Sequence, residues 1–518
     1  MQISIDNGSK PNKLFYGLLF ACFFLLYAAT AQRGVSWQDS GEFQYRVLVH
    51  DYSWISGIAI AHPAYIVGAE LFSCLFPASC RFYAINLFSG LGMAFALTFL
   101  ARLLTLLRLK TSTVILTVLT LGFSHMAWWL STISEVYTWS LAFLMAELFC
   151  MAQLCGEGSE KKRKEEGERT QEHGVTRIWI LLALLNGLHA SFHNFAFLNL
   201  PVYAILFTCL RWRRSLLQSI TLLLLTACAW LLGACLLVAL FYLEWSATQS
   251  FTTTLKSLLF SHEFEDVVTG TRAINWSLAK MNLALASISF LSPAWLFVYF
   301  AGRTRSTYSY FKLALLGLLM LHFFFWIRYF VPDQATFLLP TLGLLAIWVG
   351  IGLDSLTLRR KQVVLLGTAI LLFAIVTPLF LHHILLIKQG GIKRVRELPF
   401  REESSYWLFP WKHNERSAAR FVEQACGILK AGDILIADNT AAGPIMVAQA
   451  TGLLTSNIRL ITFFTGETDE EVIQLIKAND RVYIVSPVAG YAPNILLTGN
   501  FTFKKEDVLY RIRSARHE

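Results

Sequence analysis

Read from the N-terminus, the chain is a series of long apolar runs separated by short polar ones. The runs occupy residues 14–31, 82–107, 113–129 and 133–154. A pair follows that opens at 178–188, turns at 189–194 and returns by Leu210. Further runs cover 216–242, 281–300, 313–327, 337–353 and 363–387. Runs of this kind suit helices crossing the ~30 Å hydrocarbon core of a bilayer, so the pattern predicts a mainly α bundle of about eleven spans. Residues 58–76 are apolar too, but a crossing there would invert every later segment. Lys161 to Lys164 and Arg211, Arg213 and Arg214 would then lie outside, against the bias of basic residues for the cytoplasmic side. The segment is expected to re-enter or lie at the interface, covered by the bundle.

The same bias places the N-terminus in the cytoplasm. Residues 32–81 and 244–280 then form external loops, and 156–174 is an internal loop of mixed charge. Beyond residue 387 the apolar runs shorten and charge increases. Residues 388–414, with Gly390, Gly391 and Pro399, read as a linker. Residues 415–518 alternate helical stretches (415–430, 468–478) with strand-like ones (433–437, 458–462, 481–485, 508–513), which predicts a small external α/β domain. A helix start is read at Gly443-Pro444. The domain has no Gly-rich phosphate loop and reads as a cap or an acceptor-docking module; Asp438 is a minor candidate for a second centre.

Composition agrees with a multi-pass membrane protein, in the plasma or inner membrane if the source is bacterial. Of 518 residues, 55% are hydrophobic and 15% charged, against about 25% charged in soluble domains. The net charge of +10 comes from basic residues between apolar runs, which points to membrane sidedness and not to nucleic acid. The nine cysteines are dispersed without a CxxC; Cys74 and Cys80 could pair, but no disulfide framework is indicated.

Under this topology the unusual polar residues collect on the external side. Asp39 and Glu42 follow the first run and, three apart, share one helix face; Asp-Ser-Gly-Glu also reads as a helix-capping box. His62, His125, Glu135, Tyr137, His193 and Asp333 lie in later external turns, with Arg272 in the long loop and Arg328 near Asp333. Ionisable groups at membrane depth mark sites or polar cavities. Each also has a bland reading: Glu135 complements a helix N-terminus, and the arginines snorkel or hold a phosphate. His189 and His193, four apart, have metal-ligand spacing, but no further ligands support it. No metal is assigned, and a divalent cation stays open.

Several stretches together resemble the protein O-mannosyltransferase-like family of multi-pass proteins, within the GT-C glycosyltransferase superfold. They are Asp39-Ser40-Gly41-Glu42, Ala61-His62-Pro63, Trp128 through Glu135-Val136-Tyr137, and Tyr329 through Pro332-Asp333 with Phe337 and Pro340. The resemblance covers residues 10–345 and, loosely, the tail. It implies a GT-C-like membrane domain over 1–387 and a polyprenyl-phosphate-linked sugar as donor. It implies transfer, with inversion, to a hydroxyl of an acceptor protein or glycan, and it puts Asp39 in the acidic-motif position. Asp39 and Glu42 are then the catalytic candidates. His62, His125, Glu135, Tyr137, His193, Arg272, Arg328 and Asp333 are the substrate-binding ones. The rivals are a transporter or flippase and a non-catalytic scaffold. Convergence of Asp39, Glu135 and Asp333 in one cavity with an apolar groove distinguishes transfer from both.

Overall fold

A computed structural model of the chain describes residues 11–157, 168–211, 215–262, 264–269, 273–274, 276–303, 309–389, 396–462 and 465–514. The bundle opens with α1 (Lys13–Thr30), whose N-cap Asn12 accepts a hydrogen bond from the Phe15 amide. Next come α2 (Gln38–Val49), α3 (Pro63–Ser73), α4 (Arg81–Leu106), α5 (Thr111–Gly122), α6 (His125–Leu130) and α7 (Tyr137–Glu157). They continue as α8 (Glu168–Phe192), α9 (Phe195–Arg211), α10 (Leu216–Gly233), α11 (Cys235–Thr248), α12 (Phe251–Phe260) and α13 (Glu265–Thr269). The last of the bundle are α14 (Trp276–Ile288), α15 (Ser309–Arg328), α16 (Leu339–Asp354) and α17 (Arg360–Gln389).

Among the described residues, eight helices are long and apolar enough to cross a bilayer. A ninth is added if α14 and the segment Pro293–Gly302, bent by 87°, count as one span. Two further predicted crossings are shorter apolar helices, α5 followed by α6 and α9. The segment 58–76 holds a 3-10 turn and α3, whose 11 residues reach only about 16 Å. Tyr65 and Ile66 of α3 are fully buried.

The run 216–242 is not one helix. It breaks between α10 and α11 at Gly233 and Ala234, where the backbone meets α8. A Cβ on Gly187 would stand 2.1 Å from the Trp230 carbonyl oxygen, and one on Gly233 2.2 Å from that of Leu184. Small residues allow this backbone approach in a bilayer, where helices have no hydrophobic drive to associate with one another. The predicted external loop 244–280 is largely helical: it holds the end of α11, then α12, α13 and the start of α14, and Ser250 caps α12 by accepting from the Thr253 amide.

Deep polar side chains of the bundle are grouped. Glu147 of α7 is fully buried and its two oxygens face four donors. His189 Nδ1 lies 2.8 Å from Oε1, while Tyr203 (2.6 Å), Asn199 (2.9 Å) and Asn186 (3.3 Å) donate to Oε2. His189 Nε2 is 2.7 Å from Ser140 Oγ, and His322 bonds Asn199 at 2.9 Å. This cluster ties α7, α8, α9 and α15 together.

The segment read as a linker contains α18 (Glu403–Leu408) and is fastened to the bundle. Trp407 stacks on Trp129 at 5.5 Å, the Pro410 carbonyl accepts from Thr132 at 2.8 Å, and the Lys412 amide donates to the Thr30 carbonyl at 2.7 Å. The C-terminal domain is the expected α/β unit. Its helices are α19 (Ser417–Ile428), α20 (Asn439–Ala450) and α21 (Asp469–Ala478). Its strands are β1 (Ile434–Ile436), β2 (Arg459–Ile461), β3 (Val482–Ile484), β4 (Phe501–Glu506) and β5 (Leu509–Ser514), ordered β2-β1-β3-β5-β4. The first three pair in parallel and the last two add antiparallel. The helix predicted over 468–478 is α21, and a capping box between Thr468 and Glu471 starts it. Helix α20 begins at Asp438, its N-cap, and not at Gly443-Pro444.

Candidate active site

Helix α2 starts right after Trp37, and its placement is set from both ends of the chain. The Trp37 indole N–H donates to Ser417 Oγ at 2.7 Å, and its ring packs on Phe421 at 5.1 Å. Trp37 therefore anchors the start of α2 in the C-terminal domain. Asp39 and Glu42 follow in the first turns. No capping box forms there: the N-cap position is Trp37, with no side-chain cap bond. Asp39 lies inside the first turn, where its charge complements the helix dipole.

Asp39 does not stand alone. Ser40, beside it, donates to Glu135 Oε1 at 3.0 Å. Glu135 is held in turn by Ser89 of α4, which accepts from the Glu135 amide (2.8 Å) and donates to its carbonyl (2.9 Å). Asn86, one turn earlier on α4, bonds Ser134 and Gln44. The first acidic stretch and the Glu135 turn are thus clamped onto one face of α4. On a third side, Asn282 of α14 braces the turn carrying Asp333. Its amide donates to the Val331 carbonyl at 3.1 Å and its oxygen accepts from the Ala335 amide at 3.2 Å.

These three carboxylates line one cavity of about 450 Å³, with Glu42, His62, Tyr137 and His193 also in its wall. Asp39 is exposed to this cavity, while Glu135 is buried beneath it. The remaining wall is largely apolar and includes Leu198, Leu259, Phe260, Phe264, Phe325 and Phe337. Three non-glycine wall residues, Gln38, Trp54 and His62, hold left-handed backbone, with φ of 57°, 59° and 47°. Such strain persists only where surrounding structure imposes it, and it concentrates at functional sites.

The histidines face each other in a stack, centroids 5.0 Å apart. His62 Nδ1 lies 2.9 Å from the Phe192 carbonyl, so it donates and leaves Nε2 as an acceptor in the neutral ring. His193 Nδ1 accepts from the Phe195 amide at 3.1 Å, so its Nε2 carries the proton. Burial, with His62 alongside, holds His193 well below the ordinary imidazole value. The stack therefore offers a ligand one acceptor and one donor without charge.

Burial raises the carboxyls, and their mutual repulsion adds to it. Glu135 is pushed well up by burial, then by Asp39 and Asp333. Asp333 is pushed up to about 7 by burial and by Asp39, and Asp39 is raised with it by burial. Glu42 is placed differently: its carboxylate is 3.9 Å from Arg46, a fully buried side chain that also donates to the Ala61 carbonyl.

Two of the sequence candidates are not in this wall. His125 points Nε2 at the Leu408 carbonyl, 3.1 Å away, and serves to hold the linker. Arg328 ends α15 on the exposed surface. Arg272 lies outside the described residues. His189 and His193 do not form a metal pair, since His189 is engaged by Glu147 and Ser140. Among the described residues no group of three or more His, Cys, Asp or Glu could hold a metal ion.

Residues 39–216 match the family model described as the protein O-mannosyl-transferase TMEM260 N-terminal domain. The structure is similar to ArnT from Cupriavidus metallidurans bound to undecaprenyl phosphate, with a TM-score of 0.59 and 13% identity, covering 97% of this chain and 98% of that one. It is similar also to ArnT from Cupriavidus metallidurans in the apo state, with a TM-score of 0.56, 13% identity and coverage of 96% of this chain and 97% of that one. The fold is thus shared with ArnT over nearly the whole of both chains. No curated protein matches the sequence. Sequence reasoning missed two cavity residues, Asn439 and Thr440. They arrive from the C-terminal domain, and their only sequence signal was the Asp-Asn-Thr helix start.

Proposed function

We propose that the chain transfers a sugar from a polyprenyl-phosphate-linked donor to an acceptor hydroxyl on the external face of the membrane, with inversion. One observation carries this reading: Asp39, Glu135 and Asp333, far apart in sequence, line a single cavity whose other wall is apolar. Asp39 takes the proton from the acceptor oxygen as that oxygen bonds to the anomeric carbon. The bond from the anomeric carbon to the lipid phosphate breaks, and the phosphate leaves with its electron pair. Glu135 and Asp333, which retain protons more readily than ordinary carboxyls, donate to or accept from sugar hydroxyls. Glu42, paired with Arg46, supports Asp39 on the same face of α2. His62, His193 and Tyr137 complete the polar wall. The apolar side chains of α9, α12 and α15 receive the first isoprene units.

A transport reading requires polar groups continuing inward from the cavity. The deep Glu147 cluster is absent from the cavity wall and is closed by its own hydrogen bonds. The decisive experiment is to incubate purified protein with a panel of polyprenyl-phosphate sugars and follow release of the lipid phosphate. Release from one member supports transfer; release from none removes the proposal.

Activity is expected to rise with pH. A base must be ionised to work, and burial together with the neighbouring carboxyl raises the titration of the Asp39 and Asp333 pair. The ascending limb of kcat/KM should therefore lie well above the ordinary aspartate value of about 3.9. A limb near pH 4 would contradict the assignment.

A further inference from the structure

The C-terminal domain is pressed onto the helix that carries the acidic pair. Helix α20 crosses α2 at two glycines. A Cβ on Gly443 would stand 2.9 Å from both the Gln38 carbonyl oxygen and the Glu42 amide nitrogen. One on Gly41 would stand 3.3 Å from the Gly443 carbonyl carbon and 2.3 Å from the Ser36 carbonyl oxygen. No other residue allows this approach, so the first turn of α20 is held beside the first turn of α2.

The start of α20 is fixed from the other side as well. Asp438 Oδ1 accepts from the Thr440 amide at 2.9 Å and caps the helix. The same carboxylate forms a two-point ion pair with Arg396, with Nη2 to Oδ1 at 2.6 Å. Arg396 also donates to Ser486 at 3.0 Å and lies 4.0 Å over the Tyr491 ring. This explains Asp438 as a structural residue and withdraws it as a second centre. What it positions is the pair after it. Asn439 and Thr440 both line the cavity.

We propose that Asn439 and Thr440 bind the acceptor, a neutral hydroxyl-bearing group, and determine which acceptors are used. The inference rests on the transfer reading above. Their chemistry is uncharged and offers both donors and acceptors, which suits a sugar or a Ser or Thr side chain. Their location decides between the two substrates. They line the same cavity as Asp39, and Gly443, one turn further along α20, packs on Gln38 and Glu42 of the helix that carries the base, which acts on the acceptor. The apolar wall suited to the lipid comes from α9, α12 and α15, which belong to the membrane bundle. The C-terminal domain thereby supplies part of the active site instead of covering it.

The test uses full-length protein with a polyprenyl-phosphate mannose, and with Ser- and Thr-containing peptides and short oligosaccharides as acceptors. Asn439→Ala and Thr440→Val are expected to raise the KM for the acceptor about 5- to 10-fold each, as loss of one neutral hydrogen bond does. The donor KM should stay within about twofold, and Thr440→Ser should recover most of the loss. Asp39→Asn is the control for the reading beneath. An unchanged acceptor KM, or equal changes for donor and acceptor, overturns the role of these two residues while transfer itself stands. Absence of lipid-phosphate release by the parent protein with every donor overturns both.

Discussion

Asp39→Asn is expected to lower kcat/KM for transfer by about 10²- to 10⁴-fold, the contribution of a positioned general base. The protein should still fold and insert. Asparagine has the shape of aspartate, and Asp39 makes no capping bond that the substitution would remove. Its carboxyl faces the cavity, but the protein walls around it strip away hydration, so it titrates above the ordinary range. The folded state thus holds that proton more tightly than the unfolded chain does, so its contribution favours folding at low pH and is lost as pH rises through the raised value. A neutral amide removes that penalty. The expected signature is therefore lost activity with a melting temperature in detergent, at pH 8, equal to or above that of the parent. Full transfer by the variant would sink the base assignment. A collapsed melting temperature would show that the charge is structural.

The contrast with Glu42 is informative. In sequence the two acids are equivalent members of one helix face. In the structure Glu42 pairs with buried Arg46, whereas Asp39 has acidic neighbours in Glu135 and Asp333. Asp39, whose charge raises both of those carboxyls, has a raised proton affinity itself, as catalytic carboxyls do. Opposite environments give the two acids different work.

Much of the architecture was legible because a bilayer imposes it. Each of the predicted apolar runs is realised as a helix or a broken pair, and the C-terminal alternation gave the α/β domain. The misses have local causes. Strand β4 ends in Lys504, Lys505 and Glu506 and pairs only with β5, so its polar edge does not read as a strand. The break at Gly233 comes from the backbone of another helix, which periodicity cannot register. Within the site, Asp39, Glu135 and Asp333 were legible because charge near apolar runs is unusual. His125 and Arg328 share that signal but serve the linker and the surface. Asn439 and Thr440 carried no such signal, since neutral residues at the start of a soluble helix are ordinary caps.

The second large effect is expected far from the cavity. Glu147→Leu should destabilise the protein by about 2–5 kcal/mol, between the cost of breaking a buried charged pair and the weaker bonds typical of bilayers. Leucine fills the volume but accepts nothing. His189, Asn186, Asn199 and Tyr203 would all lose the oxygen they now address. Glu147→Gln should be milder. Its single oxygen can serve either His189 or the other three donors, and its amide meets donors on the remaining side. The loss should appear as a lower melting temperature in detergent, ordered parent, Gln, Leu. Activity should fall with it even for protein that remains folded, because His189 in the last turn of α8 accepts from the amide of cavity residue His193 just beyond it, and Ser140 lies one turn after Tyr137 on α7. A Leu variant that melts with the parent would show that these donors find other partners in the bundle.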